Sequence, residues 1–213
     1  DLKGKKVLVT AGPTIAPLDP VRCITNHSSG KMGYAIAEEA RDRGAEVYLI
    51  SGPTAIKPPI GVSITYIETN SEMLNSVLDI YDKMDIIIKS AAVSDYKIKE
   101  YFNEKIKKDD KSFSLELVKD TDILQTLGEN KKNQMLVGFA AESNDVIAYA
   151  SKKLIKKNLD YIVANDITQI DGGFNSNNNV VTILSKEGRI LELGKMNKRA
   201  IAKNLFDFIS KER

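Results

Sequence analysis

A mainly parallel β-sheet with helices on both faces, an α/β fold, is predicted for this 213-residue chain by three features. Short apolar runs such as Val7-Leu8-Val9 and Ile86-Ile87-Ile88 alternate with longer stretches whose apolar residues recur at helical spacing. The runs are apolar at successive positions, as in strands covered on both faces, and do not alternate apolar with polar. Two of them lead into turn-forming residues, Ala11-Gly12-Pro13-Thr14 and Gly52-Pro53-Thr54, where a chain would leave the edge of a sheet. With 42% of its residues apolar, the chain can bury one sizeable core, and residues 1–213 read as a single domain with a small appendage.

In chain order, Val7-Leu8-Val9-Thr10 is the first strand, and a polar loop follows from Ile15 to about Ser29. A helix from Gly30 to Arg43 would turn Met32, Ala35, Ile36 and Ala40 inward. Strands follow at Glu46 to Ile50 and Ile64 to Ile67. Ser71 opens a helix carrying Met73, Leu74, Val77, Leu78 and Tyr81, and Asp85 to Ile88 is the fourth strand. Tyr96 to Lys111 is polar and rich in lysine and reads as a mobile flap, about 96–112. Phe113-Ser114-Leu115-Glu116-Leu117 alternates like a half-exposed strand. A short helix begins over Ile123 to Leu127. Strands at Met135 to Phe139 and Tyr161 to Ala164 enclose a helix from Asp145 to Lys157. Val180 to Leu184 and Arg189 to Leu193 form a hairpin around Lys186-Glu187-Gly188, and Asn197 to Lys211 is a last amphipathic helix. Ligands of such sheets gather at the carboxyl ends of the strands, near a switch in strand order. A site is therefore expected among Gly12 to Gly33, Ser90 to Lys108, Phe139 to Asn144 and Ala164 to Asn179.

Composition narrows the chemistry. Thirty-one basic against 29 acidic residues leave a net charge of +2, which makes no general electrostatic case for nucleic acid or a membrane surface. One Cys allows no internal disulfide and suits a reducing compartment, so a cytoplasmic protein is expected. One His excludes zinc sites that need two or three. No apolar run approaches the ~18 residues of a membrane span. Asp1-Leu2-Lys3-Gly4-Lys5-Lys6 lacks both a signal peptide's apolar stretch and a Met, which suggests a processed chain or a domain cut from a longer one.

The first loop ends in Asn26-His27-Ser28-Ser29-Gly30-Lys31-Met32-Gly33 at the start of a helix. Backbone N–H groups there face an anion, or Ser28-Ser29-Gly30 is an ordinary N-cap. Arg22 can grip a phosphate or carboxylate through its fork. The spacing fits neither a Walker A loop nor Gly-x-Gly-x-x-Gly. Asp95, just past a buried strand, binds a ligand hydroxyl or amide, or caps a turn, and Ser90, Ala91 and Ala92 would let a ligand approach the backbone. Lys105-Ile106-Lys107-Lys108 is solvated surface or closes over a polyanion. Lys153 and Lys157 share a helical face, which implies a solvated face or an anion between them. His27 is a base or a loop hydrogen-bonder, and Cys23 is packing more than nucleophile. Gly172 to Asn179 is a turn-rich loop whose Asn residues bind ligand or tolerate left-handed backbone. Tyr149 and Lys153 also match the Tyr-x-x-x-Lys pair of short-chain dehydrogenases, without that family's Gly-rich cofactor loop.

Taken together, these stretches resemble bacterial phosphopantothenoylcysteine synthetase. The matches are Thr10-Ala11-Gly12-Pro13-Thr14, Asp19-Pro20-Val21-Arg22, Asn26 through Gly33, Ala91-Ala92-Val93-Ser94-Asp95-Tyr96, Lys105-Ile106-Lys107-Lys108, Gly138-Phe139-Ala140-Ala141-Glu142, Lys157-Asn158-Leu159-Asp160, Ala164-Asn165-Asp166 and Gly173-Phe174-Asn175-Ser176-Asn177. They follow the family's order and span nearly the whole chain. The resemblance implies a Rossmann-like fold with a small dimerisation subdomain and a homodimer whose active sites complete one another. It implies a ligase that joins 4'-phosphopantothenate to cysteine in coenzyme A biosynthesis. CTP with Mg²⁺ would activate the acid as an acyl-cytidylate, with release of pyrophosphate and then CMP. It also implies fusion, in a full-length protein, to an FMN-dependent decarboxylase.

By matched position, Asn26 would handle the acyl-nucleotide and Lys105 would stabilise charge on the triphosphate. Arg22 would reach the substrate phosphate across the dimer. Ala91, Ala92 and Asp95 would contact the pantothenate chain or the nucleotide, and Ser28 and Gly30 would face phosphates. Gly12, Ser90, Asp122, Ile123, Phe139, Lys153 and Lys157 complete the nucleotide contacts. No metal ligand is implied beyond the triphosphate itself. The chain departs from the family's pattern at Ile15-Ala16, at Cys23 and at Lys89-Ser90. Two other classes remain open at this point, a short-chain dehydrogenase and a nucleotide- or flavin-binding module without turnover.

Overall fold

The computed structural model describes residues 1–107, 113–142, 144–166 and 177–211. Eight strands build one sheet: β1 (Lys6–Ala11), β4 (Glu46–Ser51), β5 (Ser63–Tyr66), β6 (Ile86–Lys89), β9 (Met135–Glu142), β10 (Tyr161–Asp166), β11 (Asn178–Ser185) and, at one edge, β12 (Ile190–Asn197). The order is β12-β11-β10-β9-β6-β1-β4-β5; β5 through β10 pair in parallel, and β11 and β12 are antiparallel.

The all-apolar strands are explained by two cores. Val7, Val9, Ile86 and Ile88 point to one face, where they meet Tyr34, Ile36 and Ala40 of α1 (Lys31–Asp42) and Ile201, Leu205 and Phe206 of α5 (Lys198–Ser210). Leu8 and Ile87 point to the other face, against Met73, Val77 and Tyr81 of α2 (Asn70–Tyr81), Leu124 and Leu127 of α3 (Ile123–Glu129) and Ala150 and Leu154 of α4 (Val146–Lys156). Alternate residues of one run thus enter different cores, as the period of two requires. The predicted parallel sheet with helices on both faces is the fold observed. The chain leaves β1 for β4 by way of α1, then returns through α2 to place β6 on the other side of β1. That reversal lies at the carboxyl ends of β1 and β6 and opens a crevice there.

Several local expectations change. The segment from Ile15 to Ser29 is not all loop: β2 (Ile15–Pro17) and β3 (Cys23–Thr25) form a short antiparallel hairpin. Cys23 is exposed and not packed, because every residue of β3 faces outward. The helix expected to open at Ser71 begins at Asn70 behind a Thr69 cap; Thr69 Oγ1 accepts from Glu72 N, and Glu72 answers with its carboxylate on Thr69 N. Met32 is only partly buried and Leu78 lies exposed. The flap begins as a strand, β7 (Tyr96–Ile98), paired with β8 (Leu117–Lys119); this strand starts where the one expected over 113–117 should end. Phe102 and Phe113 meet edge to face beside it. Residues 108–112 of the flap and 167–176 of the turn-rich loop lie outside the described residues.

Candidate active site

A cavity of about 560 Å³ occupies the crevice. Its lining comes from the loop after β1, the loop after β6, the start of α3, the ends of β9 and β10, and the first residues of β11 and α5. The sequence reading anticipated most of this ring. Asn26, Ser28, Gly30, Ser90, Ala91, Ala92, Asp95, Asp122, Ile123, Phe139, Lys153 and Lys157 all line it.

The backbone leaves its amides available at one wall. Gly30 is the N-cap of α1 in the left-handed region at φ 77, and no side chain caps the helix, so the ordinary Ser-Ser-Gly cap is not formed. Instead the Gly30 N–H bonds Ser28 Oγ at 3.3 Å, and Lys31, Met32 and Gly33 of the first turn of α1, whose N–H groups have no intrahelical acceptor, line the cavity. Only glycine fits here: a Cβ on Gly30 would lie 2.6 Å from Thr54 Cγ2. The second Gly-Pro-Thr stretch therefore buttresses the first, and a Cβ on Gly52 would stand 1.7 Å from the Pro13 carbonyl. Gly12 belongs to this packing and does not line the cavity. Asn26 joins the two main loops, its Nδ2 donating to the Val93 carbonyl at 2.9 Å and the Ala92 carbonyl at 3.3 Å. Asn26 itself lines the cavity.

Charge sets the character of the cavity. Lys31, Lys89, Lys153, Lys157 and Lys198 line it, against the carboxylates of Asp95 and Asp122. Lys153 and Lys157, expected to repel or to share an anion, are each committed to a different acid. Lys153 Nζ lies 2.6 Å from Glu142 and Lys157 Nζ 2.7 Å from Asp122. Asp122 is also the N-cap of α3, accepting from Gln125 N at 3.0 Å. Burial works to raise its pKa, but Lys157 and that amide outweigh burial and hold it below the usual carboxylate value. The other three lysines have no such partner among the described residues. Lys31 bonds Asn177 at 2.7 Å, Lys198 bonds Asn179 at 2.5 Å and Lys89 bonds the Ala91 carbonyl at 2.9 Å. Burial, and then neighbouring Lys31, push the pKa of Lys198 down to about 8. Burial first, with Lys157 and Lys153 adding to it against Asp122 and Asp95, pushes Lys89 down to about 8 as well. The Asp95 carboxylate has no hydrogen-bond partner among the described residues.

Lys31, Lys89 and Lys198 line the cavity although the sequence reading gave them no role, and Asn179 lines it as one of the asparagines that reading offered for ligand. Lys89 had one signal, a charged residue ending the apolar run Ile86-Ile87-Ile88. His27 lines the cavity and stays exposed.

Besides Gly12, two predicted site residues stand elsewhere. Arg22 folds back on Asp19, with Nε at 3.0 Å, and donates to the Ile106 carbonyl at 2.9 Å, while Ile106 N donates to Asp19 at 3.2 Å. Arg22 first among these donors holds the buried Asp19 carboxyl well below the usual range. Arg22 and the exposed Lys105 are thereby tied into one hairpin-and-flap unit outside the cavity of this chain. The dehydrogenase pair does not form: Tyr149 is exposed, sits against Lys152 and lies off the cavity, and Lys153 is taken by Glu142. Among the described residues no three His, Cys, Asp or Glu side chains come together to hold a metal. No helix among them is long and apolar enough to cross a membrane.

Comparison with known proteins agrees with this geometry. The chain is 50% identical over 198 residues to the coenzyme A biosynthesis bifunctional protein CoaBC of Bacillus subtilis, covering 92% of this chain and 49% of that one. It is 46% identical over 211 residues to CoaBC of Borreliella burgdorferi, covering 98% and 53%. The chain thus spans about half the length of these relatives. A crystal structure of the C-terminal domain of CoaBC superposes with a TM-score of 0.85 at 44% identity, covering 99% of this chain and 96% of that one. Residues 2–212 match one family from end to end, and the chain belongs to it: the DNA/pantothenate metabolism flavoprotein C-terminal domain.

Proposed function

We propose that this chain is a ligase that joins 4'-phosphopantothenate to cysteine, using CTP to activate the acid. The observation that carries this reading is the cavity's excess of cations, three lysines without a carboxylate partner beside the uncapped start of α1. A nucleoside triphosphate beside a phosphorylated acid needs such a setting. Attack of the acid's carboxylate oxygen on the α-phosphorus forms the acyl-cytidylate and expels pyrophosphate. The cysteine amine then attacks the acyl carbon, CMP leaves, and the amine proton is lost. No step requires a nucleophilic side chain.

Within this scheme the free amides of α1, Lys31 and Lys198 hold phosphate oxygens. Asn26, fixed by its two carbonyl contacts, presents Oδ1 to the acyl-nucleotide. Lys153 and Lys157 exchange part of their carboxylate pairing for the nucleotide. Mg²⁺ would arrive on the triphosphate, whose charge it offsets; the unbonded carboxylate of Asp95 suits its preference for oxygen, and a shell of phosphate and water suits the lack of a protein cage. Arg22, joined to the flap through the Ile106 carbonyl, and the exposed Lys105 both lie outside the cavity of their own chain and serve the site of a second copy in a homodimer. Fusion to a decarboxylase in a bifunctional protein of the cytoplasm belongs to the same proposal, supported by relatives twice this length that carry that double name.

The test is pyrophosphate release with CTP, Mg²⁺ and 4'-phosphopantothenate, with and without cysteine, and with ATP in place of CTP. Release that requires the acid, proceeds without cysteine and favours CTP is expected. No release with either nucleotide would overturn the reading and leave a binding module.

A further inference from the structure

We propose that Lys89 is an anion-binding residue of this cavity, its ammonium left without a protein carboxylate so that a phosphate or carboxylate oxygen of the bound ligands completes it. The proposal rests on the ligase reading for the identity of those ligands. Lys89 ends β6, the strand between β1 and β9, opposite Thr10 and Gly138. It is the one charged residue of a strand otherwise made of Ile86, Ile87 and Ile88. The residue is half-buried in the cavity wall, and burial lowers the proton affinity of its ammonium. Of its three N–H donors, one has a partner among the described residues, the neutral Ala91 carbonyl at 2.9 Å.

Among the described residues, every acid near it is engaged or too distant to pair. Asp122 is held by Lys157, Glu142 by Lys153, and Asp95 acts on Lys89 only through space. Those are the charged groups that face it, from α4, the cap of α3 and the loop after β6; β1 and β9 present Thr10 and Gly138. An enclosed ammonium without a counter-ion is costly to the free protein, and an apolar residue of the same length would be the stable choice. An incoming anion repays this cost, and its approach raises the lysine's proton affinity. Two effects of opposite sign follow from removing the charge: the free protein gains stability and the ligand loses affinity.

Calorimetry on the full chain and on Lys89→Met tests this with three separate probes: CTP with Mg²⁺, inorganic pyrophosphate and 4'-phosphopantothenate. Titrations at about pH 8.5 in two buffers of different ionisation enthalpy count the protons taken up on binding. The variant should bind at least one probe about tenfold more weakly and melt about 2–4 °C higher. Which probe suffers separates a phosphate contact from a contact to the acid. Wild type should take up protons with that probe, because Lys89 titrates at about 8. The variant should not, and Lys198, which titrates in the same range, cancels in the difference. A variant that binds all three probes like wild type overturns the proposal, as does one that melts lower with its proton uptake unchanged. Wild type that binds the probes without ever releasing pyrophosphate would sink the ligase reading and leave Lys89 standing.

Discussion

The two edges of the parallel sheet use lysine and aspartate in opposite ways. At the amino edge Asp85 and Asp160 each meet a lysine. Asp85, just before β6, accepts from Lys5 Nζ and from the Lys6 amide, each at 2.9 Å, and so ties β1 to β6. Asp160, just before β10, accepts from Lys131 and Lys186, each at 2.7 Å, and from the Leu136 amide at 2.8 Å. Burial works to raise the pKa of Asp160, but these partners outweigh burial and hold it below the usual value. At the carboxyl edge Lys31, Lys89 and Lys198 meet only amide or carbonyl oxygens. One edge satisfies its charges within the fold and registers the strands. The other leaves positive charge without a carboxylate partner among the described residues, and the proposed ligase reading rests on that surplus.

The largest expected effect is at the carboxyl edge. Asn26→Asp places a carboxylate where the acyl-nucleotide should lie, and amide formation should fall by about a hundredfold or more while pyrophosphate release persists. Product analysis after a single turnover reads this, and normal amide yield would remove Asn26 from the mechanism. At the amino edge the opposite pattern is expected. Asp160→Asn should cost about 2–3 kcal/mol of stability in urea unfolding, with pyrophosphate release per folded molecule unchanged. A stable variant with lost activity would break the contrast between the edges. Lys105→Gln should slow the first half-reaction about tenfold, in mixed dimers only at the site that receives the altered flap. Unchanged pyrophosphate release would remove the flap lysine from catalysis.

The smallest effect is in the acid limb of stability. The carboxyl of Asp160 has a folded-state pKa below its unfolded value, so its contribution is present above about pH 4 and is lost as pH falls from there. Melting temperatures followed from pH 6 downward should decline less steeply in Asp160→Asn than in wild type, and parallel curves would contradict the assignment.

Much of this was legible in the residues. Strands buried on both faces announce themselves by unbroken apolar runs, and the crevice follows from the order of strands and helices. The β2–β3 hairpin was not legible, because β3 exposes all of Cys23, Ile24 and Thr25 and carries no burial pattern to detect. Its register depends on backbone pairing such as Leu18 N to the Arg22 carbonyl at 2.8 Å, which leaves no mark on composition. The candidate site was legible where family-like stretches meet, at Asn26, Asp95 and Lys157. It was illegible at Lys89 and Lys198, since a lysine at the end of a strand or the start of a helix reads as solvated surface. Only the packing shows that both are enclosed.

The most direct test of the reaction assigned to this cavity follows one oxygen. With 4'-phosphopantothenate labelled with ¹⁸O in its carboxylate, turnover with CTP and cysteine should yield CMP carrying one labelled oxygen, transferred through the acyl-cytidylate. Unlabelled CMP, or label in inorganic phosphate with CDP as the nucleotide product, would contradict activation at the α-phosphorus and with it this account of the site.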